Sequence, residues 1–389
     1  MNILVLDVEC SGATNGTKGN PFTASNRLCY VGCLDGSGYY DFDIEYSRSP
    51  YGKEMVGIGN MVSGCDLLVG FNLKFDFHWL RRYGITSFQT KKVWDCQTFE
   101  YLASRQQQAY PSLGASCEAR GLGSKRDIVK TEYWEKGIDT DAVPRGTLME
   151  YLRSDVEELT YPLYLAQREV YKTWTKEQQT LFSLMCQDLL VLEEMEFNGA
   201  KYDFDKSAQR VAEITQERDQ LLARLYDLSG LPYLNWSSND HISAFLFGGV
   251  VKEDYREQYE FTYKSGETIL RERWAVKEYV LPALAIPLRG TALKKDGYYQ
   301  TNEGILRKLK VNKKTKQIID TLLQKKQLEK LMSTYYIGIP ELIKKMEWDD
   351  GCIHGGLNQV VAVSGRLASS KPNQQNWPEE FRQCVISRF

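Results

Sequence analysis

Histidine is scarce in this 389-residue chain: only His78, His241 and His354 occur, and no two of them are neighbours. A metal site built on histidine is therefore not indicated, and any metal ion is expected to be held by carboxylates. The nine cysteines are scattered singly, and no CxxC pair occurs. Neither a zinc ribbon nor a disulfide framework is indicated.

Long apolar runs are also missing. None approaches the roughly 20 residues needed to cross a bilayer, and no basic region precedes a hydrophobic core of signal-peptide length at the N-terminus. We therefore expect a cytoplasmic protein. The net charge is only −2, so any surface that binds nucleic acid has to be local. The length predicts two or three domains.

The first ten residues, MNILVLDVEC, predict a buried strand because Ile3 to Leu6 form a continuous apolar run. Alternation along a strand puts Asp7 and Glu9 on the same face. Two adjacent carboxylates repel each other unless a cation lies between them, and Mg²⁺ prefers such oxygen ligands. The alternative is a strand end whose acidic side chains face solvent.

A second strand is predicted over Leu67–Phe71, followed by a helix that ends near Gly84. Asn72 and Asp76 are four residues apart, at the start of this helix and on one face of it. Taken alone, Asp76 is equally typical of a solvated acidic residue on a helix surface.

A later helix is predicted from Arg145 at least to Pro162, with leucines and Val156 forming its apolar stripe. Tyr151 and Asp155 are again four residues apart on one face. Taken alone, Tyr151 is typical of an aromatic residue at a core boundary, and Asp155 of a surface acid.

The ordered set Asp-x-Glu, Asn-x-x-x-Asp and Tyr-x-x-x-Asp resembles the proofreading 3′→5′ exonuclease domain of family A DNA polymerases, in the four-carboxylate class with a tyrosine. The resemblance spans about residues 1–171 and includes VWDCQTFEYL and the lysine-containing SLGASCEARGLGSKRDIVK. It implies an α/β fold: a ribonuclease H-like exonuclease domain, with a mixed sheet flanked by helices, followed by a mainly helical thumb region.

The resemblance also assigns roles to the carboxylates. Asp7 would bridge two ions, Mg²⁺ or Mn²⁺, about 3.5–4 Å apart. Glu9 and Asp155 would complete the tighter site, and Asp76 would hold the second ion through water. The expected reaction is removal of nucleotides from a DNA 3′ end.

Two further residues receive roles by the same resemblance. Tyr151 would orient the attacking water, and Asn72 would hydrogen-bond near the terminal nucleotide. The order of segments resembles phage replicative polymerases more than bacterial DNA polymerase I, which implies the host cytoplasm as the location.

From about residue 174 the pattern changes to long helices. An apolar stripe at helical spacing predicts core packing on the first of them, at Leu181, Leu184, Met185, Leu189, Leu192 and Met195. The segments MEFNGAKYD, LNWSSNDHISAFLFGG, KDGYYQTNEGILRKL and QLEKLMSTYYIGIPELI resemble successive parts of the polymerase thumb. The interruption at residues 250–294 predicts a β-hairpin, interpreted as a surface hairpin in preference to a partner-binding insertion.

A basic run follows the hairpin and includes Lys308, Lys313 and Lys314, then Lys325. A charge run is usually a solvated face. In a segment that resembles a DNA-gripping thumb, contact with phosphates is the favoured interpretation, and such contacts position DNA without reading its sequence.

The last segment, residues 351–389, resembles the start of the polymerase palm, with Ser-Gly-Arg-Leu where family members commonly have Thr-Gly-Arg-Leu. Arg366 would then enter the minor groove, and Asn373, Gln375 and Asn376 would line the duplex. The first palm carboxylate is expected just beyond the last residue. We therefore expect no polymerase activity from this chain alone, and poor order or repacking after Pro378.

The predicted domains are thus an exonuclease at 1–173, a thumb at 174–350 and a truncated start of the palm at 351–389. The favoured function is the proofreading and DNA-gripping part of a replicative DNA polymerase. The alternative is a non-catalytic DNA-binding subunit or scaffold of a split polymerase. Expected partners are DNA, both a single-stranded 3′ end and a primer–template duplex, and a separate palm-and-fingers chain. A processivity factor on the hairpin remains an open partner, as does the origin of the truncation, in a split gene or in a fragment.

Overall fold

The computed structural model describes residues 1–44, 52–288 and 297–388, together with the backbone of residues 293–295. Two compact units emerge from the contacts between residues. The first unit comprises Met1–Phe204 and Ile339–Phe389, and the second comprises Asp205–Gly338. The domain limits derived from the sequence remain predictions. No helix in the described part of the chain is long and apolar enough to span a membrane.

The strands are short except for two in the second unit. They are β1 Ile3–Cys10, β2 Leu28–Asp35, β3 Gly38–Asp43, β4 Leu67–Gly70, β5 Lys92–Asp95, β6 Ala200–Tyr202, β7 Gly248–Thr262, β8 Thr268–Ala283, β9 Leu293–Lys295, β10 Tyr298–Tyr299, β11 Cys352–Ile353, β12 Gly356–Asn358, β13 Ala368–Ser370 and β14 Val385–Ile386.

The helices occur in both units. They are α1 Lys53–Gly64, α2 Leu73–Arg82, α3 Cys96–Ala103, α4 Leu113–Glu118, α5 Ile128–Glu132, α6 Arg145–Arg153, α7 Tyr161–Lys172, α8 Lys176–Asn198, α9 Phe204–Ser229, α10 Asn239–Phe247, α11 Glu303–Leu306, α12 Lys313–Leu331, α13 Gly338–Lys345 and α14 Glu379–Arg382. Short 3₁₀ turns cover Ser87–Thr90, Trp134–Lys136, Thr140–Ala142 and Gln374–Asn376, and π-helical turns cover Ser154–Thr160 and Met332–Ile337.

The first unit is built on a five-stranded sheet in the order β3-β2-β1-β4-β5. The central strand β1 pairs antiparallel with β2 and parallel with β4, and β4 pairs parallel with β5. Helices pack on both faces, so the prediction of a mixed sheet flanked by helices is confirmed. Parallel pairing of β1 with β4 requires a crossover, which the segment containing α1 supplies.

Alternation along β1 distributes its side chains between two cores. Leu4 and Leu6 belong to the core that includes α1 and α2. Val5, on the other face, packs in the core that contains Leu152 and Val156. Asp7 and Glu9 share the face of Val5, which directs both carboxylates toward the helical stretch around residue 155.

That stretch is continuous from α6 through the π-helical turn into α7. Pro162 lies in the first turn of α7, where a missing backbone N–H is tolerated. The helix therefore continues past Pro162 to Lys172. The π-helical turn carries Asp155, and such turns often occur at functional sites.

Helix α8 corrects one prediction from the sequence. Leu181, Leu184 and Met195, which the apolar stripe assigned to the core, are 44%, 51% and 55% exposed. Leu189 and Leu192 of the same stripe are buried as predicted, and the buried face also carries Phe182, Cys186, Glu193 and Glu196. Periodicity missed the two glutamates because a sequence pattern assigns acids to solvent.

The described C-terminal residues pack into the first unit. Phe381 of α14 is fully buried, and β14 pairs with β6, which also pairs with β11. The expectation of poor order or repacking after Pro378 stays a prediction.

The second unit encloses its own core around Trp236, with residues from α9, α10 and α12. Its β7 and β8 form a long antiparallel ribbon in regular register from Gly249↔Leu281 to Thr262↔Thr268. The predicted hairpin is confirmed over these strands, while residues 289–292 of the predicted insertion lie outside the described residues.

Candidate active site

Three carboxylates converge at the end of β1. One oxygen each from Asp7, Glu9 and Asp155 lies within 4.8 Å of the other two, and among the described residues this is the one such group of possible metal-binding side chains. Glu9 and Asp155 are 8% and 3% exposed, and Asp7 is partly buried. The sequence predicted all three, and the structure brings them together.

Asp76 lies beside this cluster without belonging to it. It is 2% exposed, and its Oδ1 accepts a 3.1 Å hydrogen bond from the backbone N–H of Val8, the residue between the two acids of β1. Helix α2 places Asp76 there because α2 follows β4, the parallel neighbour of β1.

The turn before α2 is held by a second buried acid. Asn72 has a left-handed backbone (φ 64°), a conformation that asparagine tolerates better than most residues. Asp95, at the end of β5, accepts the N–H of Leu73 at 2.8 Å and that of Thr98 at 2.7 Å. It thereby joins the starts of α2 and α3, a structural role that the sequence did not reveal.

The electrostatics of the cluster favour a bound cation. Burial raises the pKa of Asp7 to about 7, and the neighbouring charge of Asp155 adds to the effect. Burial and the charges of Asp7 and Asp155 raise the pKa of Glu9 well above its ordinary value. Burial, followed by the charge of Asp7, does the same for Asp76. The donor set is all carboxylate, so it fits a hard divalent ion such as Mg²⁺ or Mn²⁺.

Lys125 is a site residue that was absent from the predicted set. Its Nζ hydrogen-bonds Oδ2 of Asp155 and lies 4.8 Å from the ring centroid of Tyr151. Burial alone would lower the pKa of Lys125, but the charges of Asp155 and Tyr151 and the hydrogen bonds with both together outweigh burial and raise that pKa. The pKa of Asp155 is nevertheless raised, because burial raises it more than the charge and hydrogen bond of Lys125 lower it.

The signal for Lys125 was present in the sequence as the lysine-containing segment after α4. Its contact with Asp155, 30 residues away, depends on how residues 119–127 fold back toward the π-helical turn. Spacing alone does not give that path.

Tyr151 is 6% exposed and lies edge-on to Trp134, with ring centroids 6.4 Å apart. Burial, followed by the charge of Glu9, raises the pKa of its hydroxyl. Tyr151 therefore remains protonated at neutral pH and keeps an O–H to donate.

The predicted palm residues are exposed and lie outside the carboxylate group. Asn373 caps the 3₁₀ turn by accepting the N–H of Gln375, and Gln375 donates to the carbonyl of Leu367 at 3.0 Å. These two side chains thus shape the loop that presents Arg366. Asn376 lies in the same turn.

The predicted phosphate contacts lie in the second unit. Lys308, Lys313 and Lys314 are exposed. Lys325 is different: it is 1% exposed and donates to Ser237 and Glu329 at 3.0 and 2.6 Å. Its inclusion in the basic run was wrong, because its position on α12 turns it into the core.

Comparison with known proteins gives a family match for the C-terminal part of the chain. Residues 276–388 match the model of DNA polymerase family A. DNA polymerase I of Geobacillus stearothermophilus is 28% identical over 203 residues, which cover 52% of this chain and 18% of that protein. The Bacillus subtilis enzyme is 26% identical over 259 residues, covering 66% and 22%. That of Synechocystis is 41% identical over 93 residues, covering 23% and 9%.

The chain thus spans less than a quarter of each of these relatives. A solved structure, the POL domain of Pol1 from M. smegmatis in complex with DNA primer-template and dNTP, aligns with 98% of this chain and 54% of its own. The TM-score is 0.56 and the sequence identity 16%, which is a likeness of fold. The chain therefore has a fold similar to that of a DNA polymerase POL domain, and its residues 276–388 are similar to DNA polymerase family A.

Proposed function

We propose that the chain is the N-terminal part of a DNA-directed DNA polymerase, a nucleotidyltransferase of family A used in replication, and that it removes nucleotides from DNA 3′ ends. The observation that carries the proposal is the convergence of Asp7, Glu9 and Asp155, with Asp76 against the same strand. Four carboxylates this close together, three of them buried, would repel each other when ionised unless a cation lay among them.

The sheet supports the exonuclease part of the proposal. A central β1 flanked by antiparallel β2 and parallel β4, in the order β3-β2-β1-β4-β5, is the arrangement expected of a ribonuclease H-like domain. The acids lie on the central strand, on the helix after β4 and on the helical stretch that covers one face.

The four acids and Tyr151 would have separate roles in the reaction. Asp7, Glu9 and Asp155 would hold one divalent ion, and Asp7 with Asp76 a second. When bound, such ions activate water and stabilise the leaving oxygen of a phosphodiester. The protonated hydroxyl of Tyr151 donates a hydrogen bond that orients the attacking water.

The 3′-terminal nucleotide needs its own contacts. Asn72, in the turn before α2, would orient it through the side-chain amide. In the metal-free protein, the Nζ of Lys125 compensates the charge of Asp155.

The test is release of nucleotides from 3′-labelled single-stranded DNA with Mg²⁺ or Mn²⁺. We expect Asp7→Asn to lower the rate about 1,000-fold, because a lost bridging ligand removes about 4 kcal/mol of transition-state stabilisation. The matched control is Asp41→Asn, an exposed acid on β3, which should retain the wild-type rate. A wild-type chain that leaves the label intact, or an Asp7→Asn variant as active as the control, contradicts the proposal.

A DNA-holding role for the second unit is part of the same proposal. Lys313 and Lys314 occupy the first turn of α12, where their charges add to the positive end of the helix dipole. This placement is unfavourable for the helix alone and favourable for phosphate contact. Duplex DNA would contact these lysines. By the same resemblance, Arg366 of the first unit would contact the minor groove. A palm-and-fingers chain is a further proposed partner, and a processivity factor on the β7–β8 ribbon remains an open one.

The second candidate is a non-catalytic DNA-binding subunit or scaffold of a split polymerase. The bond between Lys125 and Asp155 favours it, because Lys125 neutralises an acid that the exonuclease needs as a ligand. The nuclease assay separates the two candidates: a scaffold binds DNA and leaves the labelled end intact.

A further inference from the structure

A buried group of charged side chains lies on the side of α2 opposite the candidate site. Lys74, His78 and Arg81 are spaced four and three residues apart and therefore share one face of α2. Asp76 lies about half a turn away, on the face toward β1. The same short helix thus carries a site acid on one face and three basic side chains on the other.

Helix α8 supplies the opposite charges. Glu193 and Glu196 are three residues apart and are 0% and 6% exposed. Oε1 of Glu196 lies 2.5 Å from Nζ of Lys74, and Oε2 lies 2.7 Å from Nε2 of His78. Glu193 is within 3.0 Å of Arg81 and 3.3 Å of His78.

Glu196 is ionised in this setting. Burial would raise its pKa, but the hydrogen bond from His78 and the charge of Lys74 outweigh burial and lower the pKa. An ionised carboxylate only accepts, so His78 donates from Nε2. Buried ion pairs stabilise a fold no better than well-packed apolar side chains of similar volume. The cluster is therefore better explained by a need for exact placement than by stability.

The same carboxylate also holds a second segment. Oε1 of Glu196 accepts the backbone N–H of Leu357 at 2.5 Å, and Lys74 donates to the carbonyl of Leu357. The backbone carbonyl of Glu196 is bonded to His354 Nδ1 at 2.8 Å. The backbone N–H and carbonyl of Leu357 thus both hydrogen-bond to one ion pair, Glu196 of α8 with Lys74 of α2.

Leu357 lies in β12, and β12 pairs with β13 from Gly356↔Ser370 to Asn358↔Ala368. The loop between these strands carries Arg366. Two further contacts fix this loop to the α3 region: the N–H of Tyr110 donates to Val360, and the hydroxyl of Tyr101 donates to Ala362. The β12–β13 hairpin is therefore attached to the same part of the first unit as the candidate site.

Building on the proposed exonuclease, we propose that Glu196 is a positioning residue that couples α2, and through it Asp76, to the β12–β13 hairpin carrying Arg366. The ion pair with Lys74 and the bond to Leu357 share one oxygen, so a shift of the hairpin changes the restraint on α2. The exonuclease would respond in this way to the segment that faces the primer.

The kinetic test compares Glu196→Gln with Glu194→Gln, an exposed neighbour on α8. Residues that orient metal ligands typically change activity or metal affinity 10–100-fold when mutated. We expect Glu196→Gln to lower kcat about tenfold and to raise the half-saturating Mn²⁺ concentration about tenfold, with KM for single-stranded DNA within about twofold. Excess Mn²⁺ should restore kcat, which a general loss of folded protein would not allow. Values equal to those of Glu194→Gln overturn the proposal.

A second measurement does not depend on activity. Hydrogen exchange should accelerate together in peptides covering residues 73–82 and 353–360 in Glu196→Gln and in Lys74→Met, and in neither peptide in Glu194→Gln. Lys74→Met removes the partner of Glu196 on α2, and it is the variant to measure if Glu196→Gln fails to fold. Acceleration in one peptide only, or in neither, overturns the coupling. A wild-type chain without nuclease activity would instead overturn the proposed function, and the exchange data would still decide the coupling.

Discussion

Lys125 is the residue that most directly balances charge in the candidate site. Its Nζ bonds Asp155 and lies over the ring of Tyr151. Lys125 supplies a positive charge close to the carboxylates, and a metal ion held by Asp155 would compete with it for that carboxylate. The contribution of Lys125 to the free energy of unfolding should therefore depend on whether the site holds a metal ion.

We expect Lys125→Met to destabilise the metal-free chain by about 2 kcal/mol, because it leaves a buried carboxylate without its cation. Saturating Mn²⁺ should remove most of that difference. Urea unfolding with and without Mn²⁺ measures both effects, and Lys130→Met, an exposed lysine of the same segment, is the control. Equal losses in the presence and absence of metal would argue that Lys125 does not compensate the carboxylates.

At the scale of single residues, the sequence predicted the side chains whose positions follow from local spacing along the chain. Strand alternation put Asp7 and Glu9 on one face, whereas the place of Asp155 in the site came from the family resemblance, because its helical spacing is equally typical of a surface acid. Glu193 and Glu196 did not follow, because a helical acid is interpreted as solvated until its partners are known. Those partners include His78, which is 118 residues from Glu196 along the chain.

Among the elements, α12 combines two different uses of lysine. Lys325 points into the core and donates to two side chains, whereas Lys313 and Lys314 project at the N-terminal turn. Helical spacing distinguishes the faces only after the buried side is known. The run of basic residues therefore predicted one continuous basic surface, whereas α12 places these lysines on different faces, one of them in the core.

The double variant Lys313→Gln/Lys314→Gln should bind duplex DNA more weakly and show a salt dependence shallower by about two contacts, since each phosphate contact contributes about 0.9 to the slope of log K against log salt. The control is Lys344→Gln/Lys345→Gln, two exposed lysines in the last turn of α13, with the same change of charge. Titrations at several salt concentrations measure both slopes. An unchanged slope in the α12 variant excludes that turn as a phosphate contact.

The π-helical turn Ser154–Thr160 is another element that the sequence did not predict. Spacing placed Asp155 on a regular helix four residues after Tyr151. In the structure Tyr151 and Asp155 both lie at the candidate site, but the helix is wider at Asp155 because that turn is π-helical. Pro162 is compatible with this continuation because its ring falls in the first turn of the following helix.

Across the whole molecule, the raised pKa values of the site acids make stability depend on pH. An acid whose pKa is higher in the folded state binds protons that the unfolded chain releases, so stability falls as pH rises between the two values. For Asp7 that window runs from its ordinary 3.8 to about 7. Glu9 and Asp76 act in the same direction.

We therefore expect the metal-free chain to lose thermal stability between pH 5 and pH 8. A divalent ion replaces the protons, so Mn²⁺ should raise the melting temperature more at pH 8 than at pH 5. Melting curves at both pH values, with EDTA or with Mn²⁺, give the comparison, and Asp7→Asn should show a smaller difference. A metal effect that is equal or larger at pH 5 contradicts the assignment of the raised pKa values to this site.

The general architecture was more predictable than its long-range contacts. The apolar run of β1 predicted a buried strand, and the mixed sheet followed from the resemblance to the exonuclease domain. The attachment of β12 to α2 and α8 was not predictable, because it depends on single backbone groups of Leu357 and a carboxylate far away in sequence. The exposed side of α8 was also missed, since apolar periodicity cannot tell which of two faces is covered.

The short strand β6 has a consequence for synthesis on the ribosome. Its residues, Ala200–Tyr202, pair with β11 and β14, which appear only at residues 352 and 385. At 5–20 residues per second, β6 waits roughly ten seconds or longer for its last neighbour. Both of its edges are open to a chaperone or to another nascent chain until β11 emerges, and one edge stays open until β14 does, so the first unit finishes folding only when the C-terminal strand emerges.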